Sequence, residues 1–243
     1  MPEHPLKLLV IGAHPDDAEV RAGGLALLYR GQGHCVTFAS TTSGDAGHHA
    51  LDRPALARRR AEEARQVTEQ SGIAYEILPL HDGELEPTLE NRFALIRLIR
   101  RLAPDLVLTH RPNDYHPDHR YTSILVQDAA FSIAVPHICE DTPALARNPV
   151  ILYLADRFTD PTPFRPDVAV DIDDVIEEKM GLLDCHASQF YEWLPYLAGT
   201  LDQVPGDAAG RRQFLDEHWL GRSEAEPWRE TLVRLYGPGR GRH

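Results

Sequence analysis

The chain has 243 residues, of which 42% are hydrophobic and 26% are charged, a composition typical of a folded globular protein. Its formal net charge of −12 disfavours nucleic acid as a partner, because binding to phosphates requires a basic surface. The 3 cysteines are scattered along the chain, which argues against a disulfide framework and against a thiolate zinc finger.

Short apolar runs predict strands at residues 6–11, 34–39, 74–80, 106–109, 150–155 and 168–172. Amphipathic patterns predict helices at 18–30, 54–71, 90–102 and 120–134, with further helix within 173–190 and 208–236. This alternation predicts a Rossmann-like α/β fold with a doubly wound, mostly parallel sheet of order 3-2-1-4-5. No repeat or long linker divides the sequence, so we expect a single domain, 1–243, whose C-terminal third is irregular and helical.

The N-terminal sequence predicts neither a signal peptide nor a membrane span. A single lysine precedes a short apolar run that passes directly into polar residues. We therefore expect a cytoplasmic protein that does not bind membranes.

Two polar clusters follow the first and the fourth predicted strands. The first cluster is HPDD at residues 14–17, and the second is HPDH at residues 116–119. In a sheet of the predicted order these two strands are neighbours, and ligands bind in the crevice at their carboxyl ends. Two histidines and a carboxylate suit Zn²⁺ and leave a coordination position open for water. Taken singly, either cluster could instead be a turn in which an Asp caps the next helix.

The turn after the first strand lacks the glycines of a dinucleotide-binding site. It reads GAHPDD at residues 12–17, and two carboxylates at a helix N-terminus would repel a diphosphate, so we expect no nucleotide cofactor. Ser43 and Ser188 also lack the G-x-S-x-G context of a serine hydrolase nucleophile.

The sequence AHPDDAE at residues 13–19, followed by Gly23 and Gly24, together with HPDH after the fourth strand, resembles the PIG-L/LmbE family of zinc-dependent N-acetyl-sugar deacetylases. The weaker matches are TTSGDAG at 41–47, Arg60-x-x-Glu63, Asp82-Gly83 and HASQ at 186–189. The first of these has Asp45 where the family usually has Glu. The resemblance covers residues 6–190 and leaves a helical extension at about 191–243.

The resemblance implies a metal site and a set of catalytic residues. One Zn²⁺ per chain, or another divalent metal such as Fe²⁺, would be bound by His14, Asp17 and His119. Asp16 is similar to the family's general base. His116 is similar to its charged electrophile and proton donor, and Asp118 would orient His116.

The resemblance also implies a substrate, an N-acylated amino sugar or a glycoside of one. Three residues fall where family members hold the sugar, namely Asp45, Arg60 and Asp82. The family further suggests a homo-oligomer. These residue types suit amide hydrolysis, because Zn²⁺ lowers the pKa of bound water to about 7 and a neighbouring Asp can accept its proton.

Two alternatives remain open at the level of sequence. The chain could be a metal-dependent amidohydrolase that acts on another acylated amine, or a non-catalytic carbohydrate-binding protein on the same fold. The complete motifs argue against the second alternative. No role is assigned to His48, His49, His110 or His186, or to the aromatic segment 190–197, which could border a sugar, pack in the core or contact another subunit.

Overall fold

Five parallel strands form a single sheet in a computed structural model that describes residues 4–220 and 229–238. In chain order the strands are β1 (Lys7–Gly12), β2 (Cys35–Thr42), β3 (Ala74–Leu80), β4 (Leu106–Thr109) and β5 (Val150–Tyr153). They pair in the order β3-β2-β1-β4-β5, and every pair is parallel. The predicted strand order and fold class are therefore confirmed.

Helices connect the strands and continue beyond the sheet. The crossover helices are α1 (Asp17–Gly31), α2 (Arg53–Ser71), α3 (Leu89–Leu102) and α4 (Pro117–Ser132). The later ones are α5 (Ile176–Cys185), α6 (Leu194–Ala198), α7 (Ala208–Leu215) and α8 (Arg229–Tyr236). None of the helices within the described residues is long and apolar enough to span a membrane.

Side chains of β1 alternate between the two faces of the sheet. Leu8 and Val10 pack into a core shared with α1, α2 and α5, whereas Leu9 and Ile11 pack into a core shared with α3 and α4. The unbroken apolar run of this strand reflects its burial on both faces, as expected for the central strand of a parallel sheet. Burial of each such side chain contributes about 1.5–3 kcal/mol.

Local signals set the limits of α2, which carries a residue of the site described below. The Asp52 side chain caps this helix by accepting a hydrogen bond from the Ala55 amide at 2.8 Å. The helix ends at Gly72, whose φ of 71° lies in the left-handed region that glycine adopts without strain. Arg60 lies on its buried face.

The predicted strand at 168–172 is wrong. This segment pairs with no strand of the described residues and lies between β5 and α5 in irregular conformation. A Cβ atom added to Gly24 of α1 would lie 2.6 Å from the Cγ2 of Ile172, so this apolar residue packs against a helix. Apolar runs do not distinguish packing on a helix from pairing in a sheet.

The C-terminal third is helical but interrupted. The predicted helix at 173–190 begins with a 3₁₀ turn at 173–175 and passes from α5 into a π-helix at 188–193. The sequence predicts a helix at 208–236. The structure has α7, a π-helical segment at 216–220 and α8 in this range, and residues 221–228 lie outside the described part of the chain.

Candidate functional site

The two predicted motifs meet at the carboxyl ends of β1 and β4. The candidate ligand atoms of His14, Asp17 and His119 all lie within 4.8 Å of one another. Asp17 Oδ2 is 3.4 Å from His14 Nδ1, and Asp17 Oδ1 is 3.5 Å from His119 Nε2. Because α4 begins earlier than predicted, His119 lies in its first turn, as Asp17 does in α1.

The end of β1 holds Asp17 in place. Asp17 Oδ2 accepts hydrogen bonds from the amides of Ala13 at 2.9 Å and His14 at 2.8 Å. A Cβ atom on Gly12 would lie 2.6 Å from the Asp17 Cβ, so the approach requires glycine. Burial raises the pKa of this carboxyl, but the neighbouring His119 and His110 hold it well below the usual range. Asp17 is therefore an anion fixed at the base of the site.

His14 lies among three carboxylates. Burial alone would lower its pKa, but the nearby carboxylates of Asp118, Asp17 and Asp82 raise that pKa well above the ordinary value. Its Nε2 atom is 3.2 Å from Asp82 Oδ1 and 3.4 Å from Asp118 Oδ2, yet it is buried without a hydrogen-bond partner among the described residues. A buried ring nitrogen without a partner, surrounded by anionic oxygens, fits a bound divalent cation.

His119 is held by two residues that the sequence did not single out as functional. Asp114 Oδ2 lies 3.2 Å from His119 Nδ1, and the His110 ring stacks on that of His119 with 4.0 Å between centroids. Burial raises the pKa of the Asp114 carboxyl, but contact with His119 acts in the opposite direction, and the net result is a pKa below the usual value. A carboxylate that orients a ligand histidine is a recurrent feature of metal sites. The signal in the sequence is an Asp just after β4 and five residues before the ligand.

Asp16 borders the cavity beside this group. Its φ of 150° lies in the region that favours glycine, so its backbone is strained. Its Oδ2 atom is 2.9 Å from the Nη2 of Arg60, whose side chain is only 2% exposed. Burial raises the pKa of Asp16, and the Arg60 charge acts in the opposite direction. Arg60, predicted to bind a sugar, therefore lies against Asp16 and also donates to the Pro15 carbonyl.

The other two residues predicted to bind the sugar differ in position. Asp82 borders the cavity beside His14, and His14 holds the pKa of this carboxyl well below its usual range against the effect of burial. Asp45 is buried outside the residues that border the cavity. It accepts a hydrogen bond from the Asp82 amide at 2.9 Å and contacts His81 at 2.6 Å. Asp45 thus positions the loop that carries Asp82.

The carboxylate and the backbone amide of Asp118 make different contacts. Its carboxylate accepts a hydrogen bond from the Gly83 amide at 2.7 Å and faces His14. Its backbone amide, in contrast, donates to His116 Nδ1 at 3.2 Å, so His116 caps α4. The contact of Asp118 with His116 is therefore made by the backbone. Burial lowers the pKa of His116, and His14 and His119 act in the same direction.

The late HASQ match anchors the C-terminal third to the sheet domain. His186 Nε2 lies 2.8 Å from Glu19 Oε1 of α1, and both side chains are fully buried. Ser188 donates to Glu63 of α2 from its backbone amide at 2.8 Å and from its hydroxyl at 2.7 Å. These contacts place the π-helix over the site.

The aromatic segment after this match is divided between the core and the cavity. Phe190 and Tyr191 are buried in an apolar cluster, and Phe190 also borders the cavity together with Trp193. Tyr196 stacks on His49 with 4.3 Å between ring centroids. The loop after β2 is thereby packed against this segment.

A cavity of about 810 Å³ opens onto the whole group. On one side of His14 its wall is polar and includes Asp82, Arg60 and Gln189. On the other side, towards β5, its wall is largely apolar. The arrangement can hold a divalent cation, place a carboxylate base beside it and accept a substrate of considerable size.

A family model matches about half of this chain, and individual proteins resemble it over most of its length. A family model described as GlcNAc-PI de-N-acetylase, or PIG-L, matches residues 9–130. Diacetylchitobiose deacetylase of Thermococcus kodakarensis is 30% identical over 217 residues, 85% of this chain and 80% of that protein. The 4-oxalmesaconate hydratase of Pseudomonas putida is 27% identical over 80% of this chain and 78% of that protein.

A solved structure shows the same architecture. N,N′-diacetylchitobiose deacetylase from Pyrococcus horikoshii, in complex with an inhibitor, superposes with a TM-score of 0.69 at 25% identity. The match covers 82% of this chain and 76% of the other.

Proposed function

The chain belongs to the PIG-L family of GlcNAc-PI de-N-acetylases, and we propose that it is a metal-dependent hydrolase that removes an N-acyl group from an amino sugar. The substrate would be an N-acetylglucosamine derivative or a glycoside of one, and the products would be acetate and the free amine. The observation that carries this proposal is the convergence of His14, Asp17 and His119 beside the Asp16 carboxylate on the wall of the cavity.

The donor set fits a divalent cation. His14, Asp17 and His119 would hold Zn²⁺, or another divalent ion such as Fe²⁺, because imidazole and carboxylate are suitable ligands for both. When bound, the ion would supply the acidity that makes water a nucleophile at neutral pH. The distances support this assignment, since His14 Nδ1 lies 3.4 Å and His119 Nε2 lies 3.5 Å from the carboxylate oxygens of Asp17.

Asp16 is proposed as the general base. Its Oδ2 atom is held by Arg60 at 2.9 Å, which leaves Oδ1 to accept a proton from the attacking water. Water adds to the acyl carbon as this proton moves to Asp16. The same proton is then transferred to the amide nitrogen, so that the amine leaves in neutral form and Asp16 returns to its anionic state.

His116 is proposed to stabilise the oxyanion that forms on the acyl oxygen. Since its Nδ1 accepts the Asp118 amide, a neutral ring carries its proton on Nε2, which can donate a hydrogen bond. His116 borders the cavity, where such a donor lowers the barrier by about 3 kcal/mol. A neutral imidazole can make this donation, so the protonated His116 expected from the sequence is not required.

The likeness to a hydratase supports a second candidate function, the addition of water to a carbon–carbon double bond of an unsaturated carboxylic acid. The same base would activate water in either reaction. The two functions differ in product, since only amide hydrolysis releases acetate.

The test is a substrate panel with the metal-loaded protein and with protein treated with a chelator. The panel contains N-acetylglucosamine, N,N′-diacetylchitobiose, an N-acetylated amine without a sugar and an unsaturated dicarboxylate. We expect acetate release from the amino sugars by the metal-loaded protein alone. Hydration of the dicarboxylate without acetate release would favour the second function, and preference for the simple amine would overturn the sugar assignment.

A variant tests the base in the same assay. Asp16→Asn should retain its metal while kcat falls about 100-fold or more, the effect expected when a general base is removed. Asp202→Asn, on a 3₁₀ turn outside the residues that border the cavity, serves as the control and should keep full activity. Normal turnover by Asp16→Asn would show that another group accepts the proton.

A further inference from the structure

The cavity extends well beyond the metal-ligand group in one direction. Its 810 Å³ is near the upper end of the range of about 300–1,000 Å³ that accommodates drug-sized ligands. The extension, here called the apolar arm, is bordered by Leu25, Leu152, Phe164, Val168 and Ile172. It is built from α1, the end of β5 and the irregular segment that follows β5.

Two apolar side chains of the apolar arm are exposed to solvent. Leu152 is 37% exposed and Val168 is 61% exposed, although both border the cavity. Contiguous exposed apolar surface beside a polar site is typical of a binding groove. Because the arm is continuous with the metal-ligand group, part of a molecule that reacts there can extend into it.

The strand order places the two halves of the cavity on opposite sides of His14. Asp82 follows β3, and Arg60 and Gln189 lie on the same side, where hydrogen-bonding groups suit sugar hydroxyls. The apolar arm lies on the side of β5, at the other end of the sheet. An amide that spans the metal-ligand group with its sugar in the polar half directs its acyl carbon towards the apolar arm.

We propose that the apolar arm binds the alkyl chain of an N-acyl group longer than acetyl, which makes the enzyme a deacylase for N-alkanoyl amino sugars. This inference rests on the proposed function. A chain of about eight carbons would extend from the reacting carbonyl along Leu152 and Val168, whose side chains it would remove from water.

A binding experiment tests the arm independently of catalysis. Calorimetric titration of the metal-loaded protein with octanoate and with acetate compares two carboxylates of equal charge, so the cations that border the cavity contribute equally to both. Octanoate has six more methylene groups than acetate. We expect it to bind about 50-fold more tightly, the gain when three of these six groups are buried. Equal affinities would overturn the inference even if the amidase activity is found.

Two valines of nearly equal exposure provide a matched pair of variants. Val168 is 61% exposed and borders the arm, whereas Val150 is 60% exposed on β5 but does not border the cavity. Val168→Asn should weaken octanoate binding about 5- to 10-fold, the value of one partly buried valine, without changing acetate binding. Val150→Asn should leave both affinities unchanged. Equal effects of the two variants on octanoate would contradict the proposal.

Hydrolysis then identifies the position of the alkyl chain. We expect a higher kcat/KM for N-octanoylglucosamine than for N-acetylglucosamine, with the difference reduced in Val168→Asn. If octyl N-acetylglucosaminide is the preferred substrate instead, the arm binds a group attached to the sugar and the acyl assignment is overturned. If none of these amides is hydrolysed, the proposed function fails, and the octanoate titration still decides whether the arm binds alkyl chains.

Discussion

The three histidines of the two motifs have different environments, and single substitutions separate their roles. His14→Ala and His119→Ala each remove an imidazole from the ligand group, so both should lose most of their metal. His116→Ala should keep its metal and lose turnover, because its ring caps α4 and borders the cavity. Elemental analysis of purified protein measures the metal content, with His137→Ala, whose side chain is 91% exposed, as the control. A metal-free His116→Ala with fully loaded His119→Ala would reverse the assignment.

Asp114 provides a second test at the level of residues. Its carboxylate lies 3.2 Å from His119 Nδ1 and favours the tautomer that leaves Nε2 free to bind a metal. Asp114→Asn should therefore weaken metal affinity about 10- to 100-fold, the usual effect of removing such a partner. Competition with a chromophoric chelator measures this affinity. Asp128→Asn, on the surface of α4, should bind metal normally, and unchanged affinity in Asp114→Asn would exclude the role assigned here.

At the level of elements, helix α1 borders the cavity at Gly24, where the absence of a side chain allows Ile172 to pack closely against the helix. A Cβ atom on Gly24 would lie 2.6–2.8 Å from three side-chain atoms of Ile172. Gly24→Ala should therefore reduce the free energy of unfolding by about 1 kcal/mol, since overpacking exceeds the gain in helix propensity.

Gly31 of the same helix is the matched control for this substitution. Apart from its chain neighbours and its own helix backbone, no atom of the described residues lies within 4 Å of a Cβ built at Gly31, so Gly31→Ala should increase the free energy of unfolding by about 0.5–1 kcal/mol. Urea denaturation measures both variants. Equal stabilisation by the two substitutions would show that the segment at 168–172 does not pack on α1.

For the whole molecule, the buried pair of His186 and Glu19 ties the C-terminal third to the sheet domain. Burial lowers the pKa of His186, but Glu19 raises it, and the net effect is a pKa above the ordinary value. A group whose pKa is raised by folding stabilises the protein fully below its unfolded pKa of about 6.5 and loses this effect as the pH rises through the folded value. The free energy of unfolding should therefore fall as the pH is raised above about 6.5.

Denaturation of the metal-free protein at several pH values between about 6 and 9 measures this dependence. The fall should be smaller in His186→Gln, which cannot titrate, than in the unmodified chain. His137→Gln, at an exposed position, should retain the full dependence. An identical pH dependence in His186→Gln would mean that other groups, such as His14, account for the whole effect.

Local patterns in the sequence determined the strand order, the crossover helices and the place where the two motifs meet. The central strand is apolar on both faces, and α2 and α3 begin at standard capping residues, so short-range signals and the rules of parallel sheets agree. The position of the two motifs at strand ends predicted where they meet, because such ends share one edge of the sheet. The choice of His14, Asp17 and His119 as ligands, in contrast, rests on the resemblance to the family.

The tertiary structure alone decided the contacts between side chains that are distant in sequence. The positions of Arg60 against Asp16 and of Asp45 behind Asp82 depend on how α2 and the loops pack, which no local pattern encodes. Ile172 of the segment at 168–172 packs against α1 and not in the sheet, and an apolar sequence does not record which element a side chain packs against. The apolar arm is likewise formed by α1, the end of β5 and the segment after β5. These elements are distant in sequence, so no local pattern predicts that they border one cavity.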